Sequence, residues 1–282
     1  MLTAIIEYQF MQNALLASIL ASVVCGIIGV LIIEKKLVMM SGGIAHTAYG
    51  GVGLGYLLGF EPIIGAFLFG VAAAFGIGTV NRKGGVASDI IIGLFWSLGM
   101  ALGILFIALR PGYPPDMNSY LFGNILTVTK SDLTMMIGAT ILVVILFVTF
   151  FQHWKAYLFD DEFAAIMGIP AVLLEYLLLV LVAMTVVVLI RVVGIILVMS
   201  LLTAPAATAS LFSGKLKNRI FLAVMFGVFY CVTGLYLSYE LNIASGAAIV
   251  IFSVSVYFIL YTVRRIIIKN HRKRKMTGDS TV

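Results

Sequence analysis

Apolar residues run through this chain in long blocks, and the polar residues collect in the gaps between them. Nine blocks stand out: 11–33, 42–60, 62–80, 90–109, 133–151, 172–190, 193–213, 219–239 and 246–264. A helix of about 20 apolar residues crosses a hydrocarbon core. The pattern predicts an all-α polytopic membrane protein with about nine transmembrane helices. Eight is the alternative, in which Leu201–Ser213 is only a re-entrant piece.

Two gaps are longer than turns. The first, about 110–132, holds Pro111, Pro114 and Pro115 followed by Asp116, and prolines oppose continuous helix. The second, 152–170, contains FDDEFAAIMGIP. Asp160 or Asp161 can cap a helix there, Glu162 suits its first turn, and Gly168 then Pro170 end it. A short amphipathic helix at about 160–170, outside the bilayer, is expected.

Two blocks depart from plain apolar sequence. Block 42–60 carries His46 among Gly42, Gly43, Gly50, Gly51, Gly53, Gly55 and Gly59. Small residues let helix backbones approach closely in a membrane bundle. An ionisable group at membrane depth faces protein or a water-filled cavity. His46 either lines a path or hydrogen-bonds a neighbour in a packed helix. Block 193–213 carries Pro205 among Ser200, Thr203, Thr208 and Ser210. Proline frees a carbonyl that hydroxyls or water must satisfy. The two readings are a cavity-lining, broken helix and a simple kink.

Composition supports the membrane class. Of 282 residues, 62% are hydrophobic and 11% charged, against about 25% charged in soluble domains. A net charge of +6 would hint at nucleic acid in a soluble protein. Here it follows from loop bias. With the N-terminus outside, fifteen of the 18 basic residues fall on inner segments, leaving Arg110, Lys130 and Arg191 outside. Basic residues favour the cytoplasmic side, so the C-terminus is expected there. Residues 1–268 then form the membrane domain and 269–282 a basic, mobile tail near anionic headgroups. Cys25 and Cys231 lie within apolar runs and read as buried side chains. No basic stretch precedes the first block, so no cleaved signal peptide is expected.

Chemical motifs are sparse. The chain has no G-x-x-x-x-G-K-[ST] phosphate loop, no H-E-x-x-H and no G-x-S-x-G. A non-catalytic chain is expected, with any nucleotide bound by another subunit. His153 reads as interfacial and His271 as solvated in the tail. Asp89 opens the fourth block as a helix cap or, less favoured, a metal contact. A lone His46 cannot make a tetrahedral site, so any metal would pass it weakly coordinated. No stably bound cofactor is expected.

Six separated motifs carry a resemblance: MSGGIAHTAYGGVGLGY, SDIIIGLFWSLGMALGIL, YLFGNILTVTKSDL, FDDEFAAIMGIP, VVGIILVMSLLTAPAATA and LNIASGAAIVI. In order and spacing they resemble the permease subunit of zinc/manganese/iron-type metal ABC transporters, from about Ala14 to Val263. The resemblance implies an importer of divalent metal ions in a bacterial or archaeal cytoplasmic membrane. It implies a homodimer with cytoplasmic ATPase subunits and an extracytoplasmic metal-binding protein that docks near the 110–132 loop. It implies ATPase contact through Asp160, Asp161, Glu162, Phe163 and Gly168. It also implies a translocation path past Ser200, Thr203, Pro205 and Thr208, with transient metal contact at His46 and a weaker one at Asp89. Many members place an aspartate four residues before the histidine; here Gly42 stands there. That departure favours, as the alternative, a permease for another cargo such as a metal chelate. An ATP-independent secondary transporter is a further alternative, although no internal repeat is evident.

Overall fold

The computed structural model describes residues 7–83, 88–112, 118–123 and 125–276. Pro114, Pro115 and Asp116 of the long loop lie outside the described residues, as does the tail from 277. Among the described residues the chain is helical without strands. The helices are α1 (Gln9–Glu34), α2 (Val38–Leu58), α3 (Pro62–Lys83), α4 (Ser88–Ala108), α5 (Asn118–Phe122), α6 (Lys130–Thr149), α7 (Phe151–Phe159), α8 (Asp161–Ile166), α9 (Ala171–Phe212), α10 (Leu216–Leu241) and α11 (Ser245–Met276). A 3-10 turn, Ile125–Thr127, precedes α6.

Seven of these helices are long and apolar enough to cross a membrane: α1, α3, α4, α6, α9, α10 and α11. The nine blocks expected from the sequence differ from this count for two reasons. Helix α2 covers block 42–60, but glycines and His46 leave it short of that apolarity. Blocks 172–190 and 193–213 merge into the 42 residues of α9. A straight helix of that length would extend roughly 63 Å, about twice a bilayer core.

Helix α9 is not straight. Gly194 sits at φ 75 and ψ 162, a region essentially closed to residues with a side chain. A Cβ there would collide with the backbone of Phe122 and Gly123 at the end of α5. The ion pairs on α9 show what the break does. Glu175, near its start, accepts from Arg82 at the end of α3 at 2.8 Å. Ser210, near its end, accepts from Arg219 on α10 at 2.7 Å, and Arg219 also pairs with Glu34 at the end of α1. Arg191, just before the break, pairs instead with Glu61 at 3.1 Å and Asp132 at 3.3 Å. Both ends of α9 thus meet one ionic cluster, while its middle meets another at the opposite end of the bundle. The discontinuity falls at Gly194, and α9 runs through Pro205 without a break.

Helices α1 and α9 are the most enclosed spans and form the centre of the core with α10. Around them, α4, α6 and α11 present large apolar side chains outward, such as Leu94, Leu98, Ile141, Ile145, Phe258 and Ile259. Lipid is the solvent that suits such faces. Helix α11 continues to Met276, so the basic stretch from 269 is helical over its described part.

Local chemistry explains the ends. Thr129 and Asp132 form a reciprocal capping box that starts α6: Asp132 N–H donates to Thr129 Oγ1 at 3.2 Å, and Thr129 N–H donates to Asp132 Oδ2 at 3.0 Å. Such a cap satisfies donors that the helix start leaves orphaned. Asp132 is buried and also faces Arg191. Replacing Asp132 by Ala is expected to lower stability by about 1 to 2 kcal/mol, read as a lower melting temperature of the detergent-purified chain.

Candidate functional site

Helix α2 is gripped by α3 and α4 through glycines. A Cβ on Gly51 would collide with the Gly65 carbonyl of α3, and Gly65 is equally tight against Gly51. On the α4 side, a Cβ would meet a carbonyl oxygen at 2.8 Å from Gly50 (Gly99) and 2.6 Å from Gly53 (Gly103). These close approaches anchor Thr47, whose hydroxyl donates to Gly43 O at 2.7 Å and bonds Phe95 O on α4 at 3.0 Å. The adjacent His46 is thereby held facing α4.

His46 is half-buried. Its ring stacks on Trp96 with centroids 3.8 Å apart and planes inclined by 13°. Its Nδ1 lies 3.5 Å from Met100 Sδ. Trp96 and Met100 are four residues apart, so both lie on one face of α4. Trp96 is partly exposed, while Gly42, one turn before His46, is buried. A Cβ at Gly42 would stand 3.2 Å from Trp96 Cζ3 and 3.3 Å from Met199 Cε. The indole and a thioether occupy the room a larger residue would need there.

Other sequence candidates lie elsewhere. Asp89 is exposed in the first turn of α4, two turns before Trp96, or about 10 Å along the axis. A carboxylate there suits the helix dipole. The hydroxyls near Pro205 bond within the bundle. Ser200 Oγ meets Ser253 Oγ of α11 at 3.0 Å, and Thr208 Oγ1 meets Tyr230 OH of α10 at 2.9 Å. Thr203 Oγ1 donates to Met199 O at 2.8 Å. Pro205 is buried in α9. Among the described residues no three His, Cys, Asp or Glu side chains come together. Cys25 and Cys231 are both free and buried.

The short α8 sits in the ionic cluster. Asp160 caps it, accepting from Phe163 N–H at 2.9 Å, and Gly168 leads out of it at φ 80. Asp161 pairs with Lys35 at 3.4 Å. Lys35 lies over the Tyr157 ring of α7, 4.0 Å from its centroid. Burial pushes the Tyr157 hydroxyl pKa up, so the ring stays neutral beneath the cation. Only Lys35, Lys36 and Leu37 separate α1 from α2. This turn closes by Leu37 N–H donating to Ile32 O at 2.8 Å, with Lys36 left-handed at φ 58. The α7–α8 segment is thus tied to the turn that leads into the helix that carries His46. Beside it a cleft of about 720 Å³ opens, lined by Phe159, Phe163, Lys155, Lys215 and Lys217 among others. Phe159, Ile166 and Met167 are largely exposed.

Sequence reasoning missed Trp96, Met100, Met199 and Lys35. Trp96 is one of only two tryptophans, and its spacing from Met100 was the available signal.

Residues 7–264 match the ABC 3 transport family. The chain belongs to that family. It is 39% identical over 260 residues to a manganese transport system membrane protein, MntC, of Listeria monocytogenes, covering 92% of both chains. It is 35% identical to the manganese import system permease protein ScaB of Streptococcus gordonii, covering 90% of this chain and 91% of that one. The structure superposes on a chain of PsaBC from Streptococcus pneumoniae, solved in complex with Fab, with a TM-score of 0.84 and 35% identity. That alignment covers 92% of this chain and 94% of the other.

Proposed function

We propose that this chain is the permease subunit of an ATP-driven importer of divalent metal ions of the zinc or manganese class. The observation that carries this reading is family membership over residues 7–264, with relatives named as manganese import permeases aligned along nearly their whole length. Its path passes His46, and it has no catalytic role of its own. The ATPase is a separate cytoplasmic chain, and a metal-binding protein delivers the ion from outside.

The membrane spans number nine in this reading: the seven apolar helices, α2, and a second pass by α9 beyond Gly194. The opposed partners of Arg191 and of Glu175 and Ser210 support the second pass. The N-terminus is outside and the C-terminus inside, as the basic residues favour. Two copies face each other across the path. Support comes from the Trp96 side of α4, which remains open in the single chain and offers only one wall.

The ATPase docks on α7 and α8. Support comes from their exposed Phe159, Phe163 and Ile166, which lie outside the apolar spans. Movement there passes through Lys35 to α2. An ion pair with Asp161 this exposed contributes at most about 1 kcal/mol, so Lys35→Ala is expected to leave the fold intact. It should lower metal moved per ATP hydrolysed, and Lys35→Arg should restore much of it. Coupling measured in proteoliposomes checks this.

The importer reading is tested by co-purifying the chain with its ATPase and measuring metal uptake in proteoliposomes. Uptake is expected only with ATP and the ATPase. Uptake that persists without the ATPase would support a secondary transporter and sink this proposal.

A further inference from the structure

His46 has an unusual set of neighbours for a chain whose relatives are named for manganese. The donors that face it are sulfur and an aromatic face. Met100 Sδ stands 3.5 Å from Nδ1, and the Trp96 indole covers the ring at 3.8 Å. One turn earlier the position is Gly42, and Met199 Cε with Trp96 fills the space beside it. Asp89 lies two turns away along α4. Among the described residues no carboxylate bonds or pairs with His46.

Donor chemistry sorts metals. Carboxylates, carbonyls and water suit manganese, imidazole suits zinc and copper, and thioethers suit cuprous copper. At His46 a manganese ion would find water and one imidazole in place of hard oxygen ligands. A zinc or cuprous ion would find nitrogen and sulfur at the same spot. A carboxylate at position 42 would need Trp96 and Met199 to move first, so the indole and the missing acid are one arrangement.

We propose that the path at His46 selects nitrogen- and sulfur-preferring cations, of the zinc or cuprous class, over manganese. Trp96, Met100, Met199 and Gly42 set that choice. This rests on the importer reading for its transport consequence, while the binding preference stands on the purified chain alone.

Two measurements test it. The first is equilibrium binding of zinc, cuprous ion under reductant, and manganese to the detergent-purified full chain. Binding of zinc or cuprous ion is expected about tenfold or more tighter than that of manganese, with quenching or shift of Trp96 emission that Trp96→Phe removes. The zinc and cuprous arms separate the two members of the class. Met100→Leu, close in volume, is expected to lower cuprous or zinc affinity about tenfold and leave manganese unchanged. The second is ATP-driven uptake of the same ions, where Gly42→Asp combined with Trp96→Ala should shift preference toward manganese. Manganese binding equal to zinc and cuprous ion in the native chain, or a selectivity unmoved by Met100→Leu, overturns the inference. If no metal is taken up with ATP, the importer reading fails, and the binding measurement still decides the preference.

Discussion

Replacing Gly51 by Leu is expected to prevent α2 from seating on α3. The position has no room: a Cβ there collides with the Gly65 carbonyl and stands 2.7 Å from the Ala66 nitrogen. These are backbone atoms, which cannot swing aside as a side-chain tip can. The two helices must separate, and the α2–α4 contacts at Gly50 and Gly53 are disturbed with them. Overpacking of this kind costs about 3 kcal/mol or more, a large share of the 5 to 15 kcal/mol typical of a folded protein. The expected result is loss of a monodisperse peak in detergent, or a strongly lowered melting temperature. Gly138→Ala on α6 is the control, since no neighbour lies within 4 Å of its Cβ. It should be neutral or gain up to about 1 kcal/mol from helix propensity. A Gly51→Leu chain as stable as the native one would refute the close packing of α2.

Replacing His46 by Ala is expected to lower metal uptake by about tenfold or more while the chain still assembles with its ATPase. The imidazole is the one nitrogen donor on this face of α2, and its neighbours Trp96 and Met100 cannot supply another. The loss should appear mainly in the metal concentration needed for half-maximal uptake. His46→Gln, which keeps a polar end without imidazole, should fare little better. A purely packing histidine behaves otherwise: its removal lowers the melting temperature but leaves uptake per assembled complex unchanged. Uptake at the normal rate by His46→Ala refutes the path role and leaves the packing role standing.

Much of this architecture was legible before any coordinates. Block 42–60 became α2, and its glycines became its contacts with α3 and α4. The FDDEFAAIMGIP segment became a capped single-turn helix because Asp160, Gly168 and Pro170 act locally. Periodicity was less informative at Gly194. Block 193–213 carried Pro205, which draws attention as a helix breaker, yet α9 bends at the start of that block, at Gly194. A proline can stay in a membrane helix if neighbours satisfy the freed carbonyl. A glycine at φ 75 cannot stay helical, and nothing in its immediate sequence announces that angle. The hydroxyls at Ser200 and Thr208 likewise found partners on α11 and α10, which only long-range packing could supply.

The sequence by itself determined the class of the molecule, its apolar blocks, its charge asymmetry and the short capped helix α8. Those depend on transfer free energies and on groups within a few residues of each other. Tertiary structure alone decided that Lys35, in the turn between α1 and α2, meets α7 and α8, that α9 is broken at Gly194, and that His46 meets indole and thioether with no carboxylate bonded to it among the described residues. Each joins residues far apart in the chain, such as Lys35 with Asp161 and His46 with Trp96 and Met100. Their meeting follows from how closely glycines allow the helices to pack.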